Sequence, residues 1–460
     1  MAKAPAARNG TKPHAGKDPS ACYVLSLSIE NVRCFGPKQT LDLSDKNGRH
    51  APWTIILGEN GTGKTTLLQS LICVEPVDPP ATANPPLAGS VPRLVHGWWN
   101  PSRPSILDIF ELGRTVSEDN PASCEVSWKY ERNHKSIGGL DIGGTAFWKI
   151  YPSRCTFENE AKSLHLYAFG AGRRLGRTSL SSNVQDDSAG TLFDEYAVLR
   201  NAEEWLLRLD YSSSKPSDVR EEQKRRLEQV QEMLVSILPD VEDIRFTTPT
   251  GPNPNPRVEF KTFSGWVPLR RLGYGYQTLI AWVTDFASRM AERYPDSPDP
   301  LKEPAIVVVD EIDLHLHPKW QRKLIAFLSE RFPNTQFIAT AHSPLVVQAA
   351  ENANIAVLKR VGDHVEIRND VDEIRNWRVD QILTSDLFGL ESARPPEAEK
   401  LFARKQAILA KTRQSKADRQ ELQEIQEKID RLPIGESAAS VKEMNAIREA
   451  LDLLQKHAPK

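Results

Sequence analysis

No run of apolar residues in this 460-residue chain comes near the ~20 that a helix needs to cross a bilayer. A membrane-spanning role therefore finds no support in the sequence, and no membrane partner is expected. An excess of one charge is missing too. Lys and Arg number 59 against 61 Asp and Glu, a formal net charge of −2. The chain as a whole has no electrostatic pull on nucleic acid or an anionic membrane, so any such contact has to be a local patch. Cysteine is scarce: Cys22, Cys34, Cys73, Cys124 and Cys155 are scattered, odd in number and without CxxC spacing. That argues against a disulfide framework or a zinc site and for free thiols in a reducing cytoplasm. Residues 1–20 lack the apolar stretch of a secretory signal; polar and rich in Lys, Pro, Ala and Gly, they are expected to form a disordered tail.

What is present is ordinary for a globular protein, 39% hydrophobic and 26% charged, and long enough for one large domain with insertions or for two or three domains. Tyr23 to Ile29 alternates apolar and polar residues like an opening strand. Trp53-Thr54-Ile55-Ile56-Leu57 is a short apolar run that reads as a buried strand, followed by a helix over 65–72. Residues 74–104 are crowded with Pro, Ala and Asn and predict an irregular insertion. Within 126–130 and 146–150 lie candidate strands of a small β insertion, and 164–169 returns to a core strand. Helices are expected over 202–209 and 219–238, separated by Ser212, Ser213, Ser214 and Pro216, with Leu227, Val230, Leu234 and Ile237 on one face of the second. A strand over 258–263, a helix over 279–289 and apolar β-branched runs at 305–309 and 337–340 follow. This alternation of helix and strand argues an α/β fold. After Asn376 the chain turns charged, helical and poor in aromatics, over 396–432 and 441–454.

Gly58-Glu59-Asn60-Gly61-Thr62-Gly63-Lys64-Thr65 satisfies G-x-x-x-x-G-K-[ST], and Thr66 extends it into the helix. It lies after an apolar strand and before a helix, where phosphate chemistry needs it. The glycines let backbone N–H groups wrap an anion, and the helix N-terminus adds partial positive charge. Lys64 is expected to neutralise the β- and γ-phosphates of ATP, and the Thr65 hydroxyl to ligate Mg²⁺.

Ile306-Val307-Val308-Val309-Asp310-Glu311 is an apolar strand ending in two carboxylates. Such a strand carries Asp310 from the core to the sheet's carboxyl edge, where nucleotides bind. Asp310 is expected to hold Mg²⁺ with Thr65, and Glu311 to polarise the attacking water as a general base. His315 and His317 follow at i and i+2. They invite a metal reading, but the spacing is not H-x-x-x-H and no cysteine is near, so a dedicated transition-metal site is disfavoured. His342 closes another strand, a position from which a histidine can reach a γ-phosphate and report its presence.

These residues resemble one branch of the P-loop proteins. Asp310-Glu311-Ile312-Asp313-Leu314-His315-Leu316-His317-Pro318, with Trp320-Gln321, looks like the Walker B and D-loop of ABC-type ATPases related to RecF, SMC and OLD proteins. Thr340-Ala341-His342-Ser343-Pro344 looks like their H-switch, and Leu272-Gly273-Tyr274-Gly275-Tyr276-Gln277 resembles their signature motif. The match spans roughly residues 23–368 in the family's motif order. It implies an ABC-type P-loop head over 21–375, with a Pro-rich and β insertion at 74–162 and a helical insertion at 200–240, and a C-terminal helical region over 376–460. It also implies pairing of two heads, with Gly273 and Gly275 approaching the nucleotide of the opposing copy. Gly273 stands where relatives carry the signature serine, and no Q-loop glutamine is evident. Phe169-Gly170-Ala171-Gly172-Arg173-Arg174 occupies that place; Arg173 or Arg174 facing phosphate and a plain solvated basic turn are both open.

From Trp377-Arg378-Val379-Asp380-Gln381-Ile382-Leu383 onward the chain resembles ATPases of bacterial antiphage systems of the Septu type and of retron-linked operons, which work with a separate HNH nuclease. The resemblance implies a cytoplasmic defence ATPase gating such a nuclease. A RecF- or SMC-like DNA-clamp ATPase is the alternative, and it leaves DNA or RNA open as a ligand. The chain has no long coiled-coil arms, and its neutral charge gives DNA binding no positive support. An OLD-like nuclease is disfavoured because Asp370-Val371-Asp372 follows a charged stretch and no strand ends in Glu-Gly. The His-Leu-His-Pro after Glu311 and the imperfect signature disfavour a transporter ATPase. Leu422, Ile425, Ile429 and Leu432, and then Val441, Met444, Ile447, Leu451 and Leu454, form two apolar stripes that have to bury against something.

Overall fold

The computed structural model describes residues 21–73, 76–77, 91–92, 122–131, 143–150, 155–159, 165–176, 187–251, 254–369 and 377–432. The expected tail over 1–20, most of the Pro-rich stretch, Asp370-Val371-Asp372 and the second apolar stripe lie outside the described residues. The strands are β1 (Ala21–Glu30), β2 (Gln39–Asp42), β3 (Trp53–Gly58), β4 (Pro76–Val77), β5 (Val91–Pro92), β6 (Ala122–Glu131), β7 (Gly143–Ile150) and β8 (Cys155–Asn159). There follow β9 (Leu166–Phe169), β10 (Asp243–Phe246), β11 (Val258–Thr262), β12 (Gly265–Pro268), β13 (Ala305–Val309), β14 (Thr335–Thr340), β15 (Asn354–Val361) and β16 (His364–Arg368). The helices are α1 (Lys64–Ile72), α2 (Gly190–Phe193), α3 (Ala202–Ser214), α4 (Arg220–Ile237) and α5 (Tyr274–Arg293). After them come α6 (Pro318–Arg331), α7 (Pro344–Ala349), α8 (Val379–Leu383), α9 (Pro396–Leu409) and α10 (Lys416–Asp430).

One sheet carries the site. Its order is β16-β15-β3-β14-β13-β9, parallel from β15 to β9 with β16 antiparallel at the edge. Every residue of β13 and β14 is buried, as a parallel sheet covered on both faces demands, and β13 accordingly reads as an unbroken apolar run. Gln336, a long polar side chain in the middle of this core, is paired. Its Oε1 accepts the Val24 N–H at 2.9 Å and its Nε2 donates to the Val24 carbonyl at 2.8 Å. The β1–β6 register shifts between Val24 and Ser26, so the side-chain amide satisfies backbone groups that an irregular ladder leaves over. β1 belongs to a second, antiparallel sheet of order β2-β1-β6-β7-β8, and β10-β11-β12 form a third, a meander.

The structure departs from the expected elements in several places. Ser212, Ser213 and Ser214 do not separate the two helices; they are the last turn of α3. The Ser213 and Ser214 hydroxyls donate to the Asp210 and Tyr211 carbonyls, both at 2.8 Å, and so satisfy carbonyls that a helix end leaves open. α5 begins at Tyr274, ahead of the expected 279, and the span 396–432 is broken into α9 and α10 by a turn. The strands β2, β4, β5, β8, β10, β12, β15 and β16 were not anticipated; the charged stretch before Asp370 is the edge strand β16, with Val365 and Ile367 buried. The 76–77 and 91–92 pieces of the Pro-rich stretch pair with each other. The chain divides into two compact units, residues 1–382 and 383–460. In the second, α9 and α10 fold back on each other, with the Arg404 guanidinium donating twice to Glu421 and a capping box of Ser415 and Asp418 opening α10.

Candidate nucleotide-hydrolysis site

The phosphate loop runs from the end of β3 into α1. Gly61 and Gly63 have φ of +79° and +86°, left-handed values that a side chain resists. Gly63 has a second reason to lack one: a Cβ there would lie 2.4 Å from Cys34 Sγ and 2.9 Å from the Phe35 ring. Glu59, Asn60 and Gly61 are exposed, whereas Thr62 is buried, its hydroxyl donating to the Glu59 carbonyl at 2.8 Å. Lys64 curls back over its own loop, and its Nζ donates to the carbonyls of Gly58 and Glu59 at 2.7 and 2.9 Å. Burial pushes this ammonium below its ordinary range, against the pull of Asp310, Glu311 and Asp313. An ammonium desolvated in this way and held by two weak acceptors is poised to exchange them for phosphate oxygens. Thr66, buried in the first turn of α1, accepts from the Arg33 guanidinium at 3.2 Å.

β13 delivers Asp310 to this loop. Its Oδ2 accepts from the Thr65 hydroxyl at 2.7 Å and its Oδ1 from the Thr340 hydroxyl at 2.6 Å. Thr340 ends the neighbouring strand β14, and its Oγ1 also accepts the Glu311 N–H at 2.6 Å. One threonine hydroxyl therefore links both carboxylate residues. Glu311 is no longer in strand conformation: its φ is +49°. Thr65 Oγ1 and the Asp310 carboxylate are hard oxygen donors brought together from two elements, a donor set that fits Mg²⁺.

Arg173, in the turn that follows β9, is buried, so the solvated basic turn open from the sequence does not hold for it. It is 1% exposed, and its two terminal nitrogens donate to the backbone carbonyls of Asp310 and Glu311. Arg174 is exposed. Burial pushes the Arg173 guanidinium well below its ordinary range, to about 10, with Asp310, Glu311 and Asp313 working the other way.

The turn after Glu311 is held by residues whose part was not evident from sequence. Asp313 accepts the His342 N–H at 3.0 Å, which ties the turn to the end of β14. Gln321 Nε2 donates to the carbonyls of Asp313 and Leu316 at 3.2 and 3.1 Å, while its Oε1 accepts from Ser343 at 2.8 Å. A glutamine following the acidic motif is the only signal the sequence offered. His342 itself is exposed at the end of β14. His317 caps α6, its Nδ1 accepting the Lys319 N–H at 3.3 Å, and His315 is exposed with its ring edge-on to Tyr274, centroids 4.6 Å apart. Among the described residues no group of three or more His, Cys, Asp and Glu is placed to hold a metal.

Gly273 is the exposed N-cap of α5, and Gly275, the second residue of the helix, rests on the backbone of His315. The signature residues thus contact the D-loop of their own chain and present their outer side to solvent, whereas Thr65, Lys64, Asp310 and Glu311 gather at the sheet's carboxyl edge.

Fold and site together define an α/β protein with a P-loop nucleotide-binding site at the carboxyl edge of a parallel sheet. Residues 26–73 match a family described as "AAA domain", and residues 152–348 one described as "AAA domain, putative AbiEii toxin, Type IV TA system". Over 413 residues the chain is 25% identical to the Septu protein PtuA of Bacillus mycoides (strain KBAB4), covering 89% of this chain and 50% of that protein. Over 127 residues it is 38% identical to "Retron Ec83 probable ATPase" of Escherichia coli, covering 28% of this chain and 22% of that protein. The chain thus spans half or less of these curated relatives. Among solved structures, an SMC head bound to the C-winged helix domain of ScpA aligns with a TM-score of 0.44 at 15% identity, covering 75% of this chain and 97% of that one. No helix of the described residues is long and apolar enough to cross a membrane.

Proposed function

We propose that this chain is the ATP-hydrolysing subunit of a bacterial antiphage defence assembly, acting in the cytoplasm, where its nucleotide state restrains or releases a separate nuclease, HNH in type. The observation that carries the ATPase reading is the 2.7 Å contact between Thr65 and Asp310, which brings the phosphate loop and the acidic strand to one point. The defence reading is supported by similarity to a Septu protein and a retron ATPase. A DNA-clamp ATPase remains the alternative, but no single feature of the described residues favours it.

In this reading the glycine-rich loop and Lys64 bind the triphosphate, Thr65 and Asp310 hold Mg²⁺, and Glu311 takes the proton of the attacking water. The water oxygen bonds to the γ-phosphorus as the bond to the β–γ bridging oxygen breaks, and ADP leaves with that electron pair. Mg²⁺, when bound, neutralises charge across the β- and γ-phosphates. Gly273 and Gly275 of a second copy close the site, so hydrolysis requires two heads.

Two substitutions test this. Lys64→Ala is expected to abolish binding of a fluorescent ATP analogue. Glu311→Gln is expected to bind ATP normally, to turn it over at least ~100-fold more slowly, the scale of losing a general base, and to accumulate as an ATP-dependent dimer in light scattering. Normal turnover by Glu311→Gln would reject the assignment of the base.

A further inference from the structure

The conformation of Glu311 needs a cause. An L-residue at φ +49° is disfavoured, and glutamate has no short side chain that bonds locally to support the left-handed region. The carbonyls on either side of that residue show what holds it. In an extended strand successive carbonyls point in opposite directions, toward the two neighbouring strands. Here the carbonyls of Asp310 and Glu311 both meet the guanidinium of Arg173, one at each terminal nitrogen. They converge only because the chain leaves strand geometry at Glu311. On the other side, the Glu311 N–H is taken by Thr340. The peptide groups around Glu311 are thus fixed by two side chains, Arg173 from the turn after β9 and Thr340 from the end of β14.

Arg173 is also costly. It is buried at 1% exposure, makes no direct contact with a carboxylate among its hydrogen bonds, and its Nε has no hydrogen-bond partner. A buried guanidinium spent on two backbone carbonyls is a poor stability device. It suits a fork that has to span two acceptors at a fixed separation.

We propose that Arg173 is a positioning residue for hydrolysis: by bridging both carbonyls it keeps the Glu311 turn in its left-handed form, so turnover, and not ATP binding, depends on its guanidinium. This rests on Glu311 being the general base. Arg173 bonds to no residue of the phosphate loop and meets Asp310 at its carbonyl, not at the carboxylate oxygen that faces Thr65, so nucleotide binding is expected to survive its substitution. Lysine at this position keeps a charge but, as a point donor, cannot hold two carbonyls in the same fixed relation.

The test is a double-mutant cycle in the full chain. Arg173→Lys is expected to leave the Kd for a fluorescent ATP analogue within ~3-fold of the parent and to lower kcat by at least ~10-fold at unchanged KM. In the Glu311→Gln background the same substitution is expected to cost less than ~2-fold, because the group it positions is already gone. Arg173→Gln, which keeps hydrogen-bonding capacity without the buried charge, is expected to show the same dependence on Glu311. Parental kcat in Arg173→Lys overturns the proposal. So does an equal loss in both backgrounds, or weakened ATP binding, since either marks a general structural role. If both Arg173 variants fail to fold, the residue is structural and the proposal falls as well. Normal turnover in Glu311→Gln alone would instead remove the base assignment, whatever Arg173 does.

Discussion

Thr340 shows how much of this site hangs on single hydroxyl groups. Completely buried, it donates to Asp310 Oδ1 and accepts from the Glu311 N–H, so both acidic residues share one small side chain. Valine has the same shape without the hydroxyl. Thr340→Val leaves a carboxylate oxygen and a backbone N–H without these partners, a cost of about 1–3 kcal/mol each when such groups are buried. The expected result is a lower Tm by differential scanning calorimetry together with slower ATP turnover, and recovery of both in Thr340→Ser. Turnover and Tm equal to the parent in Thr340→Val would show that the shared hydroxyl does not matter. Residues of this kind mark the limit of what the sequence discloses. That Lys64, Thr65, Asp310 and Glu311 belong together was legible, because a G-x-x-x-x-G-K-[ST] loop and a carboxylate pair each follow an apolar strand. Arg173 was not legible as a backbone clamp. It acts on carbonyls 137 and 138 positions away, and no spacing rule connects an arginine to another strand's peptide groups.

At the level of elements, α5 and the turn after β13 are packed as a pair. The Tyr274 ring stands edge-on to His315, Tyr276 stands edge-on to Trp320 with centroids 4.3 Å apart, and Gly275 lies between them. A Cβ on Gly275 would fall 2.4 Å from the His315 carbonyl oxygen, a backbone atom that cannot step aside by a rotamer change. Gly275→Ala is therefore expected to push the start of α5 away from the D-loop, a displacement at the surface that would meet a second head. ATP binding by a single chain should persist, because the phosphate loop is on another element. ATP-dependent dimerisation in the Glu311→Gln background should be lost, as light scattering would show; an undiminished dimer would mean that this contact does not shape the pairing surface. The start of this helix was hard to place from sequence because Tyr274 is 51% exposed and the first turn carries no buried stripe. The Gln277 N–H still closes on the Gly273 carbonyl at 3.1 Å, so the helix forms ahead of its apolar face. Short strands such as β10 and β12, each of four residues, carry too few alternations for a period to emerge. The buried parallel strands β13 and β3 stood out because continuous burial imposes continuous apolar character.

On the scale of the whole molecule, the chain's two units differ in what holds them. The first is built on a largely parallel sheet whose strands β9, β13 and β14 are buried along their whole length. In the second, residues 383–460, the described helices are joined largely by polar contacts: Arg404 on Glu421, Lys405 on Gln426 and Lys411 on Asp418. Ile408 and Ile425 are buried there, but Leu422, Ile429 and Leu432 of the expected stripe are only half-buried. A helical pair that leaves part of its apolar stripe uncovered fits a docking role better than a catalytic one. On the proposed defence reading, the second unit is expected to receive the nuclease subunit, while Lys64, Thr65, Asp310 and Glu311 all lie in the first. A chain ending at Arg394 is expected to remain folded and to bind ATP with the parent's affinity. It should fail to co-purify with the protein encoded beside it, and cells carrying it should lose protection against phage. The Glu311→Gln chain provides the complementary arm, since it keeps the second unit and should retain the partner while failing to cycle. If the shortened chain binds ATP and still retains both partner and protection, docking lies elsewhere. If it is insoluble while the Glu311→Gln chain is not, the helices of the second unit are needed to cover the first, and their apolar stripes serve folding.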